Sequence, residues 1–559
     1  SPMTVLDWLI VAAYFAILAG IVWWSARRVK TTTDYFLAGR DVGFFVIGAS
    51  IFASNIGSEH IVGLAGSGAA NGLAQAHWEL HAWILVLLAW VFVPFYYRSG
   101  VFTMPEFLER RFNSRARWIL AIVSLTAYVF TKVSVTVYAG ALVFRTLLAD
   151  VFGSPDQAFW VGAIATVLAT GIYTILGGLR AVVYTEVLQT ALLILGSVFI
   201  TVFGLSALGG WGELREVARL QGEQWALWRP NSDPNFPWLG VMISSAVTGI
   251  WYWCTDQYIV QRTLAARSLK DARRGALWGG FLKVWPVFIF LVPGMIGYAL
   301  HLKGLIHIPT DASGQVQGDM VFPTLVAELL PLGLRGLVVG GLLSALMSSL
   351  SSLFNSCATL FTVDIYEKLR PGRPESELVR VGRIATAVVV GLGLLWIPIM
   401  KVMAESKAGL YDYLQNVQGF LAPPITAVFL LGLASRRINA KGAVWGLGVG
   451  FVLAMVKLTL QSMVQNGALD PGTVLGAIGA FNGYYFSGLL FLLSVLIIVG
   501  VSLLTEAPPE EKVRGLTFGT VSASDRSESR KTWDWRDVTL TVVVLGLVLA
   551  IYLYFSFWV

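Results

Sequence analysis

Apolar residues in this chain come in long unbroken runs rather than in alternation with polar ones. Fourteen stretches are long and apolar enough to cross a bilayer, which takes about 20 residues per helix: 6–25, 43–70, 78–97, 118–149, 157–178, 181–206, 238–261, 275–301, 332–362, 379–402, 408–434, 442–463, 476–504 and 535–558. Membrane-spanning β-strands would instead be segments of about 10 residues with alternating polarity. The pattern therefore predicts an all-α polytopic membrane protein. Only three sizeable polar stretches interrupt it, at 207–237, 302–331 and 505–534. None could bury a core of its own, so residues 1–559 read as a single transmembrane domain. The stretch 505–534 reads as a solvated cytoplasmic linker to a last helix at 535–559. The first run is followed by Arg27 and Arg28 without a small-residue cleavage site, which makes it a retained helix rather than a signal peptide.

Composition agrees, with 56% hydrophobic residues and a mean hydropathy of +0.70. The net charge of +7 needs a separate explanation. If the N-terminus lies outside, 29 of the 40 Lys and Arg fall in cytoplasmic loops, Arg98, Arg262, Arg267 and Lys512 among them. That bias obeys the positive-inside rule and places both termini outside. The basic balance thus reflects topology and contact with anionic membrane lipid, not nucleic acid. Cys254 and Cys357 sit in apolar runs and suggest no disulfide framework. The run Gly446-Leu447-Gly448-Val449-Gly450 lies inside a span and lacks the Lys-Ser/Thr of a phosphate loop. With no nucleotide, metal or nucleophile motif, neither an enzyme nor an ATP-driven pump is indicated.

Two spans carry polar groups where a continuous helix would not. One is Ala53-Ser54-Asn55-Ile56-Gly57-Ser58-Glu59-His60, the other Trp251-Tyr252-Trp253-Cys254-Thr255-Asp256-Gln257. They lie five helices apart and so cross in opposite directions, as broken helices do in transporters built from inverted repeats. The repeats would be about 43–206 and 238–434. Charges at membrane depth cost about 2.5–3.5 kcal/mol each on insertion scales, and Glu59, Glu79, Lys132, Glu186, Asp256 and Lys283 all qualify. A sugar exposes hydroxyls that both donate and accept, so its site wants carboxylate, ammonium, amide and imidazole groups beside an aromatic face. Glu79, Lys283, Asn55, Gln415 and His60 supply the polar groups. In 345–352, Ser348, Ser351 and Ser352 share a helix face, with Ser349 on a neighbouring one. Hydroxyls beside a broken helix with freed carbonyls suit Na⁺, a hard cation that binds oxygen.

Two long motifs, Phe52-Ala53-Ser54-Asn55-Ile56-Gly57-Ser58-Glu59-His60-Ile61-Val62-Gly63-Leu64 and Trp251-Tyr252-Trp253-Cys254-Thr255-Asp256-Gln257-Tyr258-Ile259-Val260-Gln261-Arg262, resemble the sodium/glucose cotransporter family. Shorter matches are Phe102-Thr103-Met104-Pro105-Glu106, Thr362-Val363-Asp364-Ile365-Tyr366 and Pro423-Pro424. The resemblance implies fourteen helices with a five-plus-five inverted repeat, and symport of Na⁺ with a neutral hexose, glucose or galactose, by alternating access. Alternatives are a polyol such as myo-inositol, sialic acid or proline, or, outside transport, a membrane sensor. By position it implies sugar ligands at Asn55, His60, Glu79, Tyr252, Trp253, Lys283 and Gln415, with Tyr252 also closing the inner side. It implies an outer gate of Leu64, Trp78 and Tyr411. The principal Na⁺ site would use carbonyls of Ala53, Ile56 and Ala345 with hydroxyls of Ser348 and Ser349. A second Na⁺ site would use Glu186, Ser348, Ser351 and Ser352. Three positions depart from the family pattern: Leu80 for Trp, Gln418 for Thr and Glu186 for Asp. The first two bear on the choice of sugar, the third on ion coupling. The cysteine-bearing outer loops of the human members are missing, which points to a bacterial inner membrane.

Overall fold

The computed structural model describes residues 3–331, 333–404 and 410–559; the side chains of Glu59, Leu142, Thr146 and Asp319, and those of 400–404 and 410–415, lie outside the described set. Among the described residues, regular structure is helical, with β pairing limited to two isolated bridges. Among the described residues, eleven helices are long and apolar enough to cross a membrane. The fourteen expected stretches map onto these and shorter helices unevenly, for reasons of backbone geometry.

The stretches 157–178 and 181–206 form one helical run, Pro155–Leu208, of 54 residues. At 1.5 Å per residue it would be about 80 Å long if straight, more than twice the apolar thickness of a bilayer. It turns at Gly178, whose φ of 58° and ψ of −148° lie where a side chain is strained. A Cβ there would also meet the carbonyl of Tyr35.

The stretch 43–70 is cut in two, as expected from its polar centre. Phe44–Asn55 ends at Ile56 (φ −94°, ψ 101°), and Ser58–Asn71 restarts after an extended Gly57. The stretch 238–261 divides likewise. Trp238–Ile250 widens into a π-helical turn at Trp251–Thr255, Asp256 is extended, and Gln257–Leu264 follows. Each break removes intrahelical partners from the carbonyls before it and leaves them free to bind elsewhere.

Leu334–Thr359 packs along Pro155–Leu208, and Phe44–Asn55 packs against both Pro155–Leu208 and Leu269–Leu282. The serine run in the first of these helices is thereby set beside the first break.

Two expectations are corrected. Arg262, counted above with the cytoplasmic loops, is fully buried in Gln257–Leu264. The segment 505–534 is not simply a solvated tether. Val513 and Thr517 are buried, and the Phe518 ring lies 5.2 Å from that of Phe95. Lys512 donates to the Glu109 carbonyl at 3.1 Å, and Arg273 to Thr532 Oγ1 at 2.7 Å. Phe518 packs on Phe95 while staying partly open to solvent, and Val513 is buried. The polar stretch 207–237 is similarly anchored by Trp225, buried with its ring 5.6 Å from Tyr298.

Candidate functional site

Both broken helices face one cavity of about 640 Å³. Asn55 and His60 reach it from the two sides of the first break, Tyr252 and Trp253 from the π-helical turn of the second. Glu79 comes from the short helix Ala76–Glu79 and Lys283 from the end of Leu269–Leu282. Leu64 and Trp78 line the same space, and the Trp78 ring lies tilted against that of Tyr484 with centres 5.5 Å apart. The side chains of Gln415 and Tyr411, expected here, lie outside the described residues, although their backbone belongs to the helix Leu410–Ala434.

The centre of the cluster is an ion pair. Lys283 Nζ is 2.8 Å from Glu79 Oε2 and also donates to Asn55 Oδ1 at 2.6 Å. Their side chains are only 1% and 2% exposed, so neither charge has water in place of its partner. His60 Nε2 stands 2.9 Å from Glu79 Oε1. Asn55 Nδ2 donates to the Tyr252 hydroxyl at 3.2 Å. The Tyr252 ring meets Trp253 edge-on at 4.8 Å, and Lys283 Nζ lies 5.6 Å from the centre of the indole. A carboxylate, an ammonium, an amide and an imidazole thus converge beside two aromatic rings.

Beside this cluster, hydrogen bonds join segments distant in sequence. The Tyr258 hydroxyl donates to the Ser54 carbonyl. Asp256 is held by the Tyr128 hydroxyl and by Lys132, 3.1 Å away. Lys132 is itself enclosed by the rings of Tyr128, Trp251, Tyr252 and Tyr258 at 4.7–5.3 Å, an arrangement in which ring faces help to hold a desolvated cation. At the other end the cavity is lined by Pro234, Asn235, Asn482, Gly483 and Tyr484.

The Ala53 carbonyl, at the break, is met by the serine run. Ser348 Oγ lies 2.8 Å from Ala53 O and 3.2 Å from Ala345 O, and Ser349 Oγ lies 3.3 Å from Ser54 O. Ala53 O also accepts from the Ile56 N–H at 3.3 Å. Hydroxyls and carbonyls that share one small volume form an oxygen donor set of the kind a hard cation takes.

Glu186 sits deeper. Its carboxylate accepts from Ser50 (3.1 Å), Ser54 (2.5 Å) and Ser352 (3.3 Å), and it is paired with the guanidinium of Arg262 at 3.3 Å. Arg262 further bonds Ser352 Oγ, Ser50 Oγ (3.2 Å) and the Tyr258 carbonyl (2.7 Å). Ser351 turns to the Ser348 carbonyl at 3.1 Å. The sequence reading joined Glu186 to the serines and missed Arg262, whose place in a polar motif disguised its burial.

Comparisons with known proteins follow the same lines. Residues 35–450 match the Sodium:solute symporter family. The chain is 37% identical to the sodium/glucose cotransporter 4 of Danio rerio over 94% of this chain and 83% of that protein. It is 38% identical to the human sodium/myo-inositol cotransporter 2 over 92% of this chain and 79% of that one. Among solved structures, a Na⁺-coupled sialic acid symporter in a substrate-bound outward-open state aligns with a TM-score of 0.74 at 22% identity, covering 90% of this chain and 99% of the other.

Proposed function

The chain belongs to the sodium:solute symporter family, and from that premise we propose that this multi-pass membrane transporter couples Na⁺ entry to uptake of a neutral hexose, glucose or galactose. The observation that carries the reading is the Glu79–Lys283–Asn55 cluster at the bottom of the cavity. Its charges are balanced, so the site presents strong donors and acceptors without a net charge for an anionic solute. Trp253 and Tyr252 offer aromatic surface to the C–H side of a pyranose ring. With the 207–237 stretch read as outside from charge, we take the cavity to face outward, Tyr252 to close the inner side, and both termini to be external. We assign the solute ligands to Asn55, His60, Glu79, Tyr252, Trp253, Lys283 and Gln415, and the outer gate to Leu64, Trp78 and Tyr411. The inverted repeats 43–206 and 238–434 would rock about this point.

For Na⁺, we assign the principal site to the carbonyls of Ala53, Ile56 and Ala345 with Ser348 and Ser349. Na⁺ would displace the hydrogen bonds that Ser348 now makes to two of those carbonyls. A second Na⁺ at Glu186, Ser348, Ser351 and Ser352 requires the Arg262 guanidinium to leave the carboxylate.

Myo-inositol is the second reading, favoured by 38–39% identity to cotransporters of that name, against 37–38% to sodium/glucose cotransporters 4 and 1. The deciding experiment is Na⁺-gradient uptake in proteoliposomes with labelled glucose, galactose, myo-inositol, sialic acid and proline. Accumulation of a hexose above the others is expected; accumulation of myo-inositol alone would replace the hexose reading, and accumulation of neither would overturn it.

A further inference from the structure

Next to Trp253, and reaching the cavity wall at His81, lie polar groups that the assignments above give no role. The indole Nε1–H of Trp253 donates to His81 Nδ1 at 3.2 Å. An indole nitrogen can only donate, so Nδ1 is the acceptor and a neutral ring carries its proton on Nε2. That Nε2 lies 2.7 Å from Ser245 Oγ. Ser245, accepting there, turns its own proton to the His77 carbonyl at 3.4 Å. His77 repeats the logic. Its Nε2 lies 2.9 Å from the Leu227 carbonyl, which can only accept, so its Nδ1 receives the Tyr552 hydroxyl at 3.2 Å. The direction of every bond is fixed by the groups at the two ends. Two short relays result: Trp253 to His81 to Ser245, ending on the His77 carbonyl, and Tyr552 to the His77 ring, ending on the Leu227 carbonyl; they share the residue His77 but not its ring.

Room for the His81 ring is made by Gly249. A Cβ at 249 would stand 3.0 Å from His81 Cε1 and 3.2 Å from Nε2, closer than ordinary contact. Trp253 in turn underlies two groups of the central cluster, since Tyr252 packs edge-on against it and Lys283 Nζ lies over its face.

We infer that His81 is a positioning residue for the solute site: by accepting a hydrogen bond from the indole and donating one to Ser245, it fixes the plane of Trp253 and, through it, Tyr252 and Lys283. The inference rests on the reading of this cavity as the solute site. Affinity then depends on a histidine acting through Trp253, and that histidine must be neutral.

Three substitutions separate the links. His81→Leu removes both; His81→Asn keeps an acceptor near the Nδ1 position; His81→Gln reaches toward Ser245 but leaves the indole without its acceptor. In uptake assays, half-saturation for the transported solute should rise about 3- to 10-fold in the Leu and Gln variants at unchanged maximal rate, and return to within about twofold of wild type in the Asn variant. In a Trp253→Phe background, which has no indole N–H, His81→Leu should add nothing; additive losses in the double mutant would overturn the proposal. A readout independent of transport is the indole ¹⁵N–¹H resonance of Trp253, assigned by its loss in Trp253→Phe. It should move upfield in His81→Leu and hold its position in His81→Asn. A resonance indifferent to both would refute the bond, whereas a wild type that transports no solute while the resonance still responds would refute the transport reading and leave the positioning bond supported.

Discussion

Glu79→Ala tests the centre of the site. The substitution removes the carboxylate 2.8 Å from Lys283 Nζ and 2.9 Å from His60 Nε2, and leaves the ammonium its hydrogen bond to Asn55 Oδ1. Two losses follow, and they have different sizes. A hydrogen bond to a charged group contributes about 1.5–3 kcal/mol, so solute affinity should fall about 10- to 150-fold. Removing one partner of a buried ion pair costs about 3–5 kcal/mol of stability, since the other charge is left in a low-dielectric site. Glu79→Gln divides the two, because its amide oxygen still accepts from Lys283 while the negative charge is gone. Concentration-dependent uptake of the labelled solute into proteoliposomes, with size-exclusion profiles to confirm folding, reads both variants. The expected result is a large rise in half-saturation for Ala and a smaller one for Gln. A folded Glu79→Ala protein with wild-type half-saturation would remove Glu79 from the site and with it the sugar reading of the cluster.

Ser349→Ala should raise the Na⁺ concentration for half-maximal uptake, and solute affinity at fixed Na⁺ should fall with it by linkage; unaltered Na⁺ dependence would assign the Ser349–Ser54 contact to packing alone. One Na⁺ entering across 100 mV supplies about 2.3 kcal/mol, and a tenfold gradient about 1.4, enough to concentrate solute roughly 500-fold; two ions would square that ratio. The reversal potential of solute-coupled current therefore reports whether Arg262 yields Glu186 to a second ion: a two-to-one charge ratio that Ser351→Ala lowers is expected if it does, and a one-to-one ratio in wild type would show that the ion pair holds. Lys457→Met should lower thermal stability by a few °C and loosen the outer rim, because Lys457 Nζ bonds the carbonyls of Ile478, Gly479 and Phe481 at 2.7–3.0 Å beside the cavity-lining turn 479–484; a melting temperature equal to wild type would show that those carbonyls are satisfied without it.

What the sequence determined by itself is local or additive. Long apolar runs specified helices, since in a bilayer the backbone must satisfy itself. Asn55-Ile56-Gly57 and Thr255-Asp256 marked the breaks, because polar side chains in mid-span make sense only where the ladder opens. The types of group at the site, Glu79, Lys283, Asn55 and His60, were legible because charges at membrane depth are expensive wherever they pair. Partner choice was not legible, since it depends on which helices cross and at what height. Lys283 meets Glu79 and Asn55 more than 200 residues away in sequence. Arg262 read as a loop cation by its flanking sequence, yet packing of Gln257–Leu264 against Phe44–Asn55 buries it on Glu186. His81, two residues from Glu79, gave only the weak signal of a histidine in an apolar run. Its bond to Trp253, 172 residues on, exists only because the two broken-helix regions fold onto one cavity and Gly249 leaves room between them. Helices are fixed by interactions within about four residues; the pairing of charges buried between them is fixed by tertiary packing, where a desolvated charge can be held only by the groups that packing brings within reach.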